Sequence, residues 1–229
     1  MNKKSIKLII IVAICVIVGL LLVIFANKKA DERTKKEIEA LNAQALANST
    51  DKVYELLDGS LLFEVVNNND FGINYEVDVN IYDEEDALTG ELKVFVNNIE
   101  GHTTAYGKLD LADEKYVRYE YEKKALAIRE RIDLYTTKVK LQEKSVENEQ
   151  IKVSFINNAQ HAISKINYGV IFYDKNNNII GYRENIGYNI VIDGTIDGYL
   201  DNYILDKYGK EAKYDHYDVV INYACYDEY

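Results

Sequence analysis

The chain has 229 residues, with 27 Lys and Arg against 38 Asp and Glu, a formal net charge of −11, and neither Pro nor Trp. Lys3, Lys4, Lys7, Lys28 and Lys29 all precede the first acid, so the part beyond residue 30 is more acidic than the whole. Such a surface repels polyanions, which excludes nucleic-acid binding, and Cys225 as the single cysteine of that part excludes an internal disulfide there.

Leu8 to Ala26 is an unbroken apolar run. As a helix rising 1.5 Å per residue it spans roughly 28 Å, the hydrocarbon thickness of a bilayer. Lys3, Lys4 and Lys7 ahead of it predict a cytoplasmic N-terminus. The run is longer than the apolar stretch of a signal peptide, so an uncleaved anchor is expected, with the bulk of the chain outside the cell membrane. Residues 31–48 carry strong helix formers with acids near the start. Their apolar stripe is thin (Ile38, Leu41, Ala45), as suits a stalk.

Beyond residue 51 the period changes to two. Ile73, Tyr75, Val77, Val79 and Ile81 alternate with polar residues, the pattern of an antiparallel strand with one buried face. Val117, Tyr119 and Tyr121 alternate with Arg118, Glu120 and Glu122 in the same way. The pattern then recurs. Leu61, Phe63 and Val65 before Asn67-Asn68 match Ile151, Val153 and Phe155 before Asn157-Asn158. Tyr75, Val77, Val79 and Ile81 before Tyr82-Asp83 match Ile166, Tyr168, Val170 and Phe172 before Tyr173-Asp174. A final strand puts Val219, Ile221, Tyr223 and Cys225 on one face. Two tandem copies of one antiparallel β-sandwich account for the repeat. The expected fold is mainly β, divided as 1–29 anchor, 30–50 helical stalk, 51–122 first sandwich, 123–133 linker (helical or extended) and 134–229 second sandwich.

Phe155–Asn158 with Ile171-Phe172-Tyr173-Asp174-Lys175-Asn176-Asn177-Asn178, and in weaker form Val65–Asn68 with Ile81-Tyr82-Asp83, resemble the FxLYD-type and related Ig-like domains of bacterial surface proteins. The chain departs from that pattern where a Pro-Gly loop usually follows, having only Asp193-Gly194 there. The resemblance implies a fold and an extracytoplasmic address, and brings no catalytic residues.

No chemistry stands out. The Asp174-x-Asn176-x-Asn178 run has Ile179 where a calcium loop needs Gly and Asn185 where it needs Glu, so a turn is expected. Asp83-Glu84-Glu85-Asp86 occupies the matching turn of the first copy, where a loosely held calcium stays open beside a solvated turn. His102, His161 and His216 stand apart without zinc spacing, no serine sits in a nucleophile elbow, and Cys225 reads as a small buried hydrophobe. No catalytic residue, metal ligand or cofactor is therefore expected, and the binding residues are left unassigned. Twenty tyrosines invite a search for a contact patch, with outward Tyr82 and Tyr173 and the terminal Tyr226 and Tyr229 as its candidates. The expected function is non-catalytic: a surface protein held by residues 8–26 that binds a protein or cell-envelope component. The second copy, farther along the stalk, is the expected contact. Alternatives are an accessory subunit of an envelope enzyme or transporter, and a hydrolase with an unrecognised site.

Overall fold

A computed structural model describes residues 27–111, 116–129 and 132–227. The expected anchor at 8–26 lies outside them, and among the described residues no helix is long and apolar enough to cross a membrane. The chain divides into two units, Met1–Leu41 and Asn42–Tyr229.

In the first unit, residues 27–41 are helical and exposed except for half-buried Ile38 and Leu41. Its Lys35–Glu39 pair, 3.9 Å apart on an open surface, adds little stability.

The second unit begins with the end of the helix, which continues to residue 47. Ala45 is fully buried, and its carbonyl accepts from Ser49 Oγ at 2.7 Å and from Asn69 Nδ2 at 3.1 Å. These side-chain donors satisfy a terminal carbonyl that has no partner in its own helix.

Six strands follow: β1 (Ser49–Glu55), β2 (Leu61–Asn67), β3 (Ile73–Tyr82), β4 (Leu88–Ile99), β5 (Thr103–Leu109) and β6 (Arg118–Ala127). They form two antiparallel sheets, ordered β1-β2-β5 and β4-β3-β6. Then come β7 (Ile132–Leu134), β8 (Val139–Glu147), β9 (Gln150–Asn157), β10 (Ile163–Tyr173), β11 (Ile179–Ile190) and β12 (Thr195–Asp201). The short strands β13 (Ile204–Leu205) and β14 (Glu211–Ala212) and the long β15 (His216–Asp227) close the chain. Here the sheets are β8-β9-β12 and β11-β10-β15, with β7 added outside β15. The six-strand order of the first half is thus repeated in the second, with β13 and β14 as a hairpin inserted before the last strand.

The alternating residues build the cores. Ile73, Tyr75, Val77, Val79 and Ile81 of β3 are fully buried, facing Leu61, Phe63 and Val65 of β2 across the first core. Ile166, Val170 and Phe172 of β10 meet Ile151, Val153 and Phe155 of β9 across the second. Val79 and Val170 fall on matching central strands.

Asn67 and Asn157 occupy the same place in the two halves, and both are fully buried. Asn67 Nδ2 lies 2.8, 3.0 and 3.2 Å from the carbonyls of Phe71, Ile99 and Glu100. Asn157 Nδ2 lies 2.9, 3.3 and 3.2 Å from those of His161, Ile190 and Val191. Each Oδ1 accepts the N–H two residues on, from Asn69 and Ala159. The first Asn of the Asn-Asn pair is therefore a plug that satisfies the backbone of two neighbouring turns, beyond the turn former that the sequence suggests.

Three expectations need correction. The linker expected at 123–133 is in part strand: β6 runs to Ala127, which pairs with Ile73, and Ile128 donates to Gly72 O at 2.9 Å. Ala and Lys favour helix in isolation, and pairing with β3 overrides that preference. Val117 precedes β6 and is 64% exposed, so it is no core position.

In β15 the alternation breaks. The register against β10 shifts between Asn167 and Tyr168, leaving Asn222 as a bulge. Val219 and Ile221 pack on the second core ahead of the bulge and Ala224 after it, so Tyr223 and Cys225 face the other way.

The two halves also pack against each other. The outer faces of β1-β2-β5 and β11-β10-β15 pack together. Leu56, Leu62, Ile171 and Tyr182 form a third buried cluster, edged by Tyr54, Tyr106, Tyr173, Ile179 and Val220. Contacts run from Leu57 N donating to Ile180 O at one end to Thr137 N and Oγ1 donating to Glu100 at the other. The halves lie side by side because each carries apolar residues on a face that an isolated sandwich would expose.

Candidate functional site

The two acidic or Asn-rich turns have one construction, and a third copy lies in the β13–β14 hairpin. Asp83 Oδ1 accepts the N–H groups of Glu85 and Ala87 at 3.0 and 2.9 Å. Asp174 Oδ1 accepts those of Asn176 and Asn178 at 2.8 and 2.9 Å, and Asp206 Oδ1 those of Tyr208 and Lys210 at 2.9 and 3.0 Å. The fourth residue of each turn has positive φ: 63° at Asp86, 62° at Asn177 and 75° at Gly209. The Tyr-Asp ending is thus a hairpin signal, in which the leading Asp ties down two backbone donors and an Asp, Asn or Gly takes the left-handed position. Asp174 Oδ2 also accepts from Asn178 Nδ2 at 2.9 Å; these bonds hold its carboxyl below the usual carboxylate range. Among the described residues no group of three His, Cys, Asp or Glu is arranged to hold a metal ion. Asn177→Gly should leave stability unchanged or raise it, whereas Asn177→Ala should cost about 1 kcal/mol, the strain of a left-handed Ala, in a urea melt.

The histidines are not brought together. His102 Nε2 lies 2.8 Å from Asp70, His161 stacks on Tyr135 at 5.9 Å, and His216 lies parallel to Tyr173 at 4.8 Å with Nδ1 3.0 Å from Asp215. Tyr173 and His216 are cross-strand partners, as are Tyr82 and Arg118, whose guanidinium sits 3.8 Å over the Tyr82 ring. The Tyr82 and Tyr173 positions therefore serve as stacking platforms in both halves. They do not share a patch, because Tyr173 is drawn into the contact between the halves. Tyr226 is half-buried, and Tyr229 lies outside the described residues. Cys225 is buried.

One carboxylate is deeply held in the first half. Asp51 accepts from Tyr75 Oη at 2.8 Å, from Tyr121 Oη at 2.9 Å and from the Lys123 ammonium, with its side chain almost fully covered. Burial pushes its carboxyl up, but these three donors together draw it below the usual range. A carboxyl lowered on folding stabilises above its unfolded pKa of about 3.9 and loses that contribution as pH falls through the folded value. Thermal melts of the first half should accordingly be level between pH 7 and 5 and fall in acid. Asp51→Asn should lower the neutral melting temperature and flatten that acid limb.

The face between the halves has a polar centre. Asn222, placed there by the β15 bulge and 3% exposed, accepts from Tyr106 N at 2.9 Å. Its Nδ2 donates to Asn167 Oδ1 and to Tyr182 Oη, each at 2.7 Å. All four groups are paired, so the network specifies one docking register at little desolvation cost. Gly169 admits the Tyr182 ring, since a Cβ there would meet ring carbon Cε2 at 2.5 Å.

Docking opens a cleft of about 910 Å³ where the two halves meet. Its walls are the β1–β2 turn (Leu56, Leu57, Asp58, Gly59), the β3–β4 turn (Asp83, Glu84, Glu85) and Lys207 with Tyr208 from the inserted hairpin. Leu111, Tyr116, Val117 and Glu55 complete the lining among the described residues. Asp58 is engaged at one side: Lys108, only 17% exposed, bridges it at 2.8 Å to Asp110 at 2.7 Å. Burial raises the Asp58 carboxyl, and the Lys108 and Ser60 hydrogen bonds more than offset this, leaving it lowered and ionised. Leu57, Val117 and Tyr208 are 40, 64 and 82% exposed, so the opening presents apolar side chains as well as carboxylates. The sequence left the binding residues unassigned, and no local signal marks these, because separate turns of the first half bring most of them together and docking adds Lys207 and Tyr208.

No protein-family model matches the chain, and no curated protein matches it. Among solved structures it is similar to one described as "Crystal structure of putative beta-galactosidase from bacteroides fragilis", at 10% identity over 66% of this chain, with a TM-score of 0.17. The chain spans about 28% of that structure's length.

Proposed function

We propose that this chain is a membrane-anchored extracytoplasmic binding protein, in which two Ig-like β-sandwich modules contact a protein or cell-envelope component without turnover. The carrying observation is the docked pair of repeated halves: the Asn222 network and the Leu56–Leu62–Ile171–Tyr182 cluster hold the modules in one register. A rigid, composite surface suits recognition, since little ordering cost remains to be met on binding. The apolar run at 8–26, with Lys3, Lys4 and Lys7 before it, supports the anchored, outward-facing address. The test is capture from envelope extract by residues 30–229, compared with an unrelated protein of equal net charge. A partner retained by this chain alone is the expected result. Equal retention by the control overturns the reading, as does protection of the chain when intact cells are shaved with protease.

A further inference from the structure

We infer that the cleft between the halves is a docking groove for a Lys- or Arg-bearing peptide segment of a partner protein, an inference that rests on the binding function proposed above. Among the described lining residues, Glu55, Asp83, Glu84, Glu85 and the Lys108-paired Asp58 face one cation, Lys207, so the occupant carries positive charge. With those acids the lining includes exposed Leu57 and Val117, backed by the core residues Leu56 and Leu111. Mixed walls of this kind match a side chain with a long aliphatic stem and a charged head, which buries the stem and leaves the head among carboxylates. The exposed Tyr208 ring, carried in on the inserted hairpin, already holds the Lys207 ammonium 5.3 Å from its centre, an aromatic face of the sort that attracts ammonium and guanidinium groups. A bare metal ion fits less well, because among the described residues no three carboxylates converge. A cleft of about 910 Å³ is at the upper end of the range for small-ligand pockets and has room for several side chains. The inserted hairpin of the second half supplies Lys207 and Tyr208, so that wall of the groove is added by the docked pair.

The test is fluorescence anisotropy of the full-length protein in detergent with a labelled alternating Lys-Leu peptide, and with the same peptide acetylated on every lysine. The expected result is saturable binding of the cationic form and none of the acetylated form. The paired change Glu84→Lys and Glu85→Lys should weaken binding about tenfold or more, a loss typical of reversing charges at a contact. Glu147→Lys with Glu149→Lys, the same charge change at the β8–β9 turn, should leave it within about twofold. Equal weakening by both pairs would assign the attraction to the acidic surface at large, and no binding by the unaltered protein would remove the groove. Either outcome overturns this inference alone if envelope capture still succeeds, whereas failed capture overturns the binding function itself.

Discussion

Val170→Asp should abolish folding of the second half. Val170 is fully buried at the middle of β10, paired with Arg183 on one side and Val219 on the other, in a core of Ile151, Val153, Phe155, Ile166 and Phe172. The core side chains offer a carboxylate no partner, and the one charged neighbour, Arg183, has its guanidinium over the Tyr203 ring, 5.4 Å from its centre. The group must therefore either stay charged in an apolar core or take up a proton there. The cost is several kcal/mol, which is comparable with the whole stability of a small domain. Urea melts should show the second-half transition absent or displaced to very low denaturant.

Asn157→Ala should have the next largest effect. The amide donates to the carbonyls of His161, Ile190 and Val191 and accepts from Ala159 N. Its removal leaves several buried backbone groups unpaired, at about 1–3 kcal/mol for each that finds no substitute. Asn157→Asp retains the acceptor and loses the donors, so it should be nearly as damaging. Asn67→Ala should act in the same way on the first half, which makes the pair a check on the equivalence of the two positions. Circular dichroism melts of the single variants supply the comparison.

How much of this was legible in the sequence follows from which contacts are local. The alternation of Ile73 to Ile81 predicts a half-buried strand because every second residue meets the opposite sheet, and β3 is that strand. The same rule misses Ile171, which is 1% exposed between two core residues because its outward face meets the other half. The rule also misplaces Tyr223 and Cys225, since one bulged residue reverses the phase of everything after it. Asn222 gains its role from the same bulge, and nothing in its neighbours Ile221 and Tyr223 announces it. The Tyr-Asp turns were legible as turns because their hydrogen bonds span four residues. The cleft was not, because Glu55, Glu84 and Val117 are far apart in the chain and meet only in the folded first half, and docking adds Lys207 and Tyr208.

The central claim is that the repeated halves are docked into one body, and a single tryptophan reports on it directly in a chain that has none. Phe71→Trp places the reporter beside the first core, on a residue outside the buried cluster between the halves. Urea unfolding of residues 30–229 carrying this change should be compared with the same protein carrying Val170→Asp as well. If the halves are docked, losing the second half exposes Leu56, Leu62, Tyr54 and Tyr106 of the first. The first-half midpoint should then fall even though no residue of that half has changed. A midpoint that stays where it was would mean that the two halves stand independently, and would contradict both the docked pair and the cleft built from it.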